Sequence, residues 1–425
     1  MRFEYVASAI AGLGKLHVTE RNKPILENII KSIPNNETQT VGLLFNAMVE
    51  ASQGTKFSML DIPSYSDSGG LQLAILGLDE EKVEVKKKEI FKTQSIHSDY
   101  AFIFDEMPIK MIPSTGDAKV GRVDNSGRCF IDELVLPSAL KTAENVKQQI
   151  DHFISAGSDT KIFIIGQGRN FETFNRYMNT IVTHLNDDEI KHVRGIAPSD
   201  TCYGLGTLER WDLMYQIKNF DIPDEIKQNV HLLGVGSHTG FMPVFLSPSY
   251  FNFIDTLSFD SSSDTRKYAM DGFVAPGTRM EIDNPKQLTE EYHKIWEEIK
   301  PYLLYLGVKD ETDFFENMTY LSSKNTEKIW SYFTKEEQYR EATCVMYMHI
   351  ISRFIKRVFN NIDHANEEAK LPEFQGEIRD YQDFLTYKKL LMAHFNLTSK
   401  KVRSVSDILS YNNLVNVKQA FSNLF

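Results

Sequence analysis

Residues 256–266 read TLSFDSSSDTR. The first four form a short β-rich, mostly apolar run, and the run ends on a carboxylate, Asp260. A brief apolar run bounded by polar residues is the pattern of a strand buried on both faces, as in a parallel sheet. Working upstream, the arrangement recurs. Val230 to Val235 leads into LLGVGS with Gly234 and Gly236, and Lys161 to Ile165 leads into IIGQG with Gln167. Tyr100 to Phe104 ends on Asp105 and Glu106, and Phe57 to Ile62 precedes SDSGGLQL with Asp67.

Helix-like segments lie between these runs: Leu140 to Ser155, Phe171 to Leu185, and Leu208 to Ile217. Strand and helix alternate, which selects an α/β architecture with right-handed crossovers. A (β/α)8 TIM-like barrel needs about 250 residues, and residues 1–282 supply them. After Pro285 the pattern turns helical, with Glu290 to Leu304, Thr326 to Trp330, Glu341 to Asn360, and Asp380 to His394. The expected division is therefore a barrel over 1–282 carrying the chemistry and a mainly helical C-terminal region over 283–425. Ala365 to Gly376 reads as a linker or turn within that region, and there is no internal repeat.

Composition narrows the function classes. At 42% hydrophobic and 25% charged residues, and without an apolar run of membrane-spanning length, the chain reads as globular with no membrane partner. The N-terminus lacks the basic lead-in of a signal peptide. Cys129, Cys202 and Cys344 are too few and too scattered for a disulfide framework or a cysteine-rich zinc site. A cytoplasmic location is expected, that of the host cell if the chain is viral, and neither metal nor cofactor is expected. With 47 basic against 58 acidic residues, a net charge of −11 argues against coating a nucleic acid by general attraction. Any such contact is local.

Singly, each motif has a bland reading. DSGG is most often a tight turn with an Asx cap, an Asp-Glu pair after a strand is a helix cap, and GQG or GVG marks close backbone approach. Lys86 to Lys88 and the cluster Arg353, Lys356, Arg357 are more often solvated faces than phosphate sites. The eleven histidines show no metal-binding spacing and read as core or surface residues. The set carries more than its members. In a barrel the C-terminal strand ends share one mouth, where active sites are built, so residues scattered along the chain would converge there.

In order, the set resembles the tRNA-guanine transglycosylase superfamily over about residues 55–270. The matching pieces are Asp67-Ser68-Gly69-Gly70-Leu71-Gln72, Phe104-Asp105-Glu106, Gln167-Gly168, Gly204-Leu205 and Leu232-Leu233-Gly234-Val235-Gly236. The last is Phe259-Asp260, four residues, then Thr265-Arg266, which agrees without a gap. The resemblance implies a pentosyltransferase that exchanges guanine for a 7-deazaguanine base through a covalent glycosyl-enzyme intermediate.

The residue types suit those roles. Base exchange needs a carboxylate to attack the anomeric carbon, as in a retaining glycosidase, and Asp260 is the candidate. A second carboxyl must manage protons on the departing and arriving bases, a task for Asp67. Guanine's N1–H and 2-amino group form a two-donor edge that Asp105 can accept, while O6 needs donors, assigned to Gln167 and the Gly204 amide. Leu71 and Leu233 stand where the purine faces need apolar walls.

Three departures bear on the substrate. The family's cysteine-rich zinc site after the barrel is missing, since only Cys344 lies there. Tyr203 replaces the first glycine of a Gly-Gly pair, and the interval from Gly236 to Asp260 is longer than in the tRNA enzymes. Without the zinc element, DNA is favoured over tRNA, and the chain looks more like the phage and bacterial DNA-modifying branch, which inserts bases such as 7-cyano-7-deazaguanine. The target base would be flipped out of the duplex into the mouth, with Lys86–Lys88 or Arg353–Arg357 available to hold phosphates. A tRNA enzyme of the queuosine or archaeosine type, or a non-catalytic partner subunit, are the alternatives. Oligomeric state and any partner protein stay open.

Overall fold

The computed structural model describes residues 1–8, 18–33, 39–48, 60–69, 79–111, 128–199, 213–234, 251–261, 285–318 and 337–366. Its strands are β1 (Arg2–Ser8), β2 (Gln39–Asn46), β3 (Ser64–Asp67), β4 (Tyr100–Phe102), β5 (Ile109–Met111), β6 (Arg128–Phe130), β7 (Lys161–Gln167), β8 (Val193–Ser199), β9 (Asn229–Leu232) and β10 (Thr256–Ser261). Eight of them form a closed parallel barrel in the order β1-β2-β3-β4-β7-β8-β9-β10, while β5 and β6 make a separate antiparallel pair. The barrel closes where β10 pairs with β1, in a register that sets Asp260 beside Val6.

The helices are α1 (Lys23–Lys31), α2 (Glu80–His97), α3 (Val135–Ser155), α4 (Phe171–Thr183), α5 (Asp187–Ile190), α6 (Asp224–Lys227), α7 (Pro285–Leu306), α8 (Glu311–Met318) and α9 (Glu337–Asn366). Their local logic is legible. Val135, Ala139, Val146, Ile150 and Phe153 recur at helical spacing and form the buried face of α3. Asn170 starts α4 with a reciprocal capping box to Thr173. Asp79 caps α2 by accepting from the Lys82 amide at 2.9 Å. No helix among the described residues is long and apolar enough to cross a membrane.

The barrel architecture is the expected one, but several boundaries move. Of the strand expected over Phe57 to Ile62, residues 57–59 lie outside the described residues and 60–62 are not strand; the described strand is Ser64–Asp67, so Asp67 is a strand residue and not part of the following loop. The run expected to end at Phe104 pairs only through Phe102. The strands β1, β2 and β8 lie in segments with no expected strand. Of the helix expected over Leu208 to Ile217, the described part is helical over 213–216 and then forms a 3-10 turn, Ile217–Asn219. The segments Thr326 to Trp330 and Asp380 to His394, and the boundary near 283, lie outside the described residues. Helix α9 runs through Asn366, so no turn begins at Ala365.

The described elements after residue 283 are helices, and they are joined to the barrel. Helix α9 packs on both α7 and α1. Its buried Glu341 bonds to the Thr19 hydroxyl, pairs with Arg21 at 3.4 Å, and offers its carbonyl to Asn22 Nδ2 at 3.5 Å.

Candidate active site

The C-terminal strand ends bring the expected side chains to one mouth. Asp67 is the last residue of β3, Gln167 the last of β7, and Asp260 the last but one of β10. Asp105 follows β4 by three residues and Leu233 follows β9 directly, half-buried at the rim. Leu71 and Gly204 lie outside the described residues.

Asp260 is buried, and its Oδ1 collects two partners. The Gly234 amide donates to it at 2.9 Å, and His231 Nε2 stands 3.0 Å away. Gly234 sits at φ 70°, a left-handed conformation that aims this amide and that a side chain would strain. Both of these contacts fall on Oδ1, and among the described residues Oδ2 carries no hydrogen bond.

Asp67 accepts from the Gly69 amide at 3.3 Å, the Asx-type turn that DSGG suggests by itself. Loss of solvent around its carboxyl pushes its pKa up to about 6; the Asp260 charge adds to the rise and the Gly69 amide opposes it. The carboxyl of Asp105 is pushed up to about 7, again first by desolvation, with smaller contributions from Asp67 and Glu106. Gln167 works against that shift by donating from Nε2 to Asp105 Oδ2 at 2.5 Å. Each carboxyl feels the next, so Asp260, Asp67 and Asp105 form one electrostatic group.

The segment carrying Asp105 has no strand ladder and is held from outside. Asn145 Nδ2 of α3 donates to the Phe104 carbonyl at 3.1 Å, and the Glu106 amide donates to Thr142 Oγ1 at 2.8 Å. Tyr177 of α4 donates to the Glu106 carbonyl at 2.8 Å. Two neighbouring helices thus fix a loop residue with the precision of a strand residue.

Sequence reasoning missed what lies beneath the mouth. The rings of Tyr65, Phe102, Phe163 and His231 fill the barrel, with Phe102 and His231 centroids 4.6 Å apart. Tyr65 donates to the buried Glu4 at 2.6 Å, and burial raises the Glu4 pKa. His231 is fully buried, as a core histidine would be, yet it also touches Asp260. Its place on β9, three residues before Gly234, reads from sequence as an ordinary core position.

Four side chains of the basic clusters have partners within the protein. Lys87 is buried and bonds Asn145 Oδ1 at 2.9 Å, and Lys86 pairs with Glu89 at 2.6 Å. Arg353 lies 3.6 Å from Glu291 and 3.7 Å from Glu298, while Lys356 reaches Ser32 Oγ at 3.1 Å. Three of these four cations already face a carboxylate or a buried amide. Among the described residues, no group of three or more His, Cys, Asp or Glu side chains could hold a metal ion.

No family model and no curated protein matches the chain. Among solved structures it is similar to the apo form of a candidate deoxyribose-phosphate aldolase from Toxoplasma gondii. Identity is 8%, the TM-score is 0.32, and the match covers 61% of this chain and 89% of that one. The likeness carries no argument about chemistry. The fold, on the chain's own geometry, is a (β/α)8 barrel.

Proposed function

We propose that the protein is a transglycosylase that exchanges a guanine in DNA for a 7-deazaguanine base. The observation that carries this reading is the grouping at one barrel mouth of three carboxyls in three different environments. Asp260 is held through one oxygen by two partners, Asp67 lies close enough to feel its charge, and Asp105 is bonded to Gln167. A nucleophile, a proton carrier and a base-edge acceptor require that division.

In this reading Asp260 Oδ2 attacks C1′ of a flipped-out nucleotide from the face opposite the base. The C1′–N9 bond breaks as Asp67 gives a proton to the leaving guanine, and an ester joins Asp260 to the sugar. The incoming 7-deazaguanine then attacks C1′ through N9, Asp260 leaves with the ester's electron pair, and Asp67 takes up the N9 proton. A pKa of about 6 lets Asp67 serve in both directions near neutrality. Asp105, when ionised, accepts the N1–H and 2-amino pair. Gln167, whose amide nitrogen donates to Asp105, is the donor assigned to O6.

The test is exchange of labelled guanine into duplex DNA and, in parallel, into tRNA. Exchange into DNA is expected. Exchange into tRNA alone would move the reading to the queuosine or archaeosine type, and exchange into neither would overturn it.

A further inference from the structure

Beneath Asp260 a polar line runs into an otherwise aromatic barrel interior. His231 Nε2 lies 3.0 Å from Asp260 Oδ1, and its other nitrogen, Nδ1, lies 2.8 Å from Ser258 Oγ. Ser258 is fully buried, one inward position below Asp260 on β10, and its hydroxyl also neighbours that of Tyr65. Tyr65 in turn donates to Glu4 Oε2 at 2.6 Å. The His231 ring is packed against Tyr65, Phe102 and Phe163, at centroid distances of 5.8, 4.6 and 5.9 Å. Those faces fix its plane, and Ser258 and Asp260 occupy its two nitrogens.

A carboxylate only accepts hydrogen bonds, so the nitrogen facing Asp260 must carry the hydrogen for the contact to be favourable. The opposite nitrogen meets the Ser258 hydroxyl, which can either donate or accept. We infer that His231 is the positioning residue of the nucleophile: an imidazole, held at Nδ1 by Ser258, whose Nε2–H together with the Gly234 amide pins Asp260 Oδ1 and turns Oδ2 toward the sugar. Both donors sit on the non-reacting oxygen. When the ester forms through Oδ2, Oδ1 becomes its carbonyl oxygen. When the ester breaks, Oδ1 takes up negative charge again, and two preorganised donors stabilise that charge without rearrangement. The inference deepens the transglycosylase reading, and its kinetic part rests on it.

Two measurements on the full chain test it. The first needs no substrate: nitrogen NMR of protein labelled in its histidine rings, with the His231 signals assigned by their loss in His231→Gln. A protonated Nε2 is expected, and an Nε2 without its hydrogen would overturn the inference. The second is base exchange. His231→Phe keeps an aromatic ring in the cage but removes the donor, and it should lower kcat by about 10²-fold, the usual loss for one donor to developing charge, with KM for the base little changed. His231→Gln, which restores an N–H near Nε2, should recover most of that loss. Equal kcat values for wild type and a folded His231→Phe would overturn the inference. If His231→Phe does not fold, Ser258→Ala replaces it, and wild-type Nε2 signals and kcat in that variant would overturn the role given to Ser258. Failure of the wild type to exchange any base would defeat the functional reading, while the NMR result still decides the state of His231.

Discussion

Gln167 Nε2 and Asp105 Oδ2 stand 2.5 Å apart, joining the end of β7 to the loop that follows β4. The bond favours the charged carboxylate, in a place where desolvation favours the neutral acid. Gln167→Leu removes the donor, and a hydrogen bond to a charged group contributes about 1.5 kcal/mol, or roughly one pKa unit. The pH midpoint for base binding should therefore move upward by about that amount. KM for guanine measured across pH checks this, and an unmoved midpoint would detach Gln167 from the titration.

Binding of guanine should also move protons. With a pKa of about 7, Asp105 is mainly protonated at pH 6, but the two-donor edge of guanine needs the carboxylate. Binding at pH 6 should release close to one proton, and binding above pH 8 almost none. Calorimetry in buffers of different ionisation enthalpy reads the number directly. No release at pH 6 would remove Asp105 from base recognition.

The two carboxyls nearest the sugar should part company on substitution. Asp260→Asn exchanges an anionic nucleophile for a neutral amide of the same shape, so base exchange should fall by at least about 10³-fold and the covalent adduct should vanish. Asp67→Asn leaves the nucleophile but removes proton handling, so exchange should slow while a trapped adduct persists. Labelled DNA on a denaturing gel distinguishes them. Wild-type exchange by Asp260→Asn would pass the role to another carboxylate, Asp264 being the nearest in sequence.

Glu4 offers a stability test away from the chemistry. Burial raises its pKa in the folded state, so as pH rises the unfolded chain ionises first and gains stability relative to the fold. Stability contributed by the neutral form is present below the unfolded value of about 4.3 and is lost as pH rises through the folded value. Glu4→Gln keeps an acceptor for Tyr65 and abolishes the titration. It should raise stability at pH 8 and change it little at pH 4, as read by denaturant melts. Asp67 and Asp105 act with the same sign, over the window from about 4 to their values of about 6 and about 7.

The barrel was legible where a strand holds an unbroken apolar run, as Ile162 to Ile165 do in β7, and illegible where function or close packing interrupts the run. β1 carries Glu4 because a buried acceptor meets Tyr65 inside the barrel. β8 carries Gly195 because a Cβ there would lie 2.1 Å from the Asn229 carbonyl oxygen on β9, and the glycine reads from sequence as a break. Asp67, Asp105, Gln167 and Asp260 could be found because strand ends are visible before strands are paired. His231 could not, since its partners Ser258 and Asp260 are 27 and 29 residues away and only β9–β10 pairing brings them together.

Closure of the barrel through β1 and β10, with α1 braced by Glu341, has a consequence for synthesis. The first strand leaves the ribosome with neither edge paired, and the partner for one edge begins at Thr256. At about 5–20 residues per second, β1 waits tens of seconds for that partner, and α1 waits longer for α9. Until then the nascent chain is an open sheet with exposed edges, the form most prone to wrong association. Slow translation or an early stop after the last barrel strand would therefore harm this protein more than the modest size of the C-terminal helices suggests, and a chaperone that shields unpaired strands should raise its soluble yield.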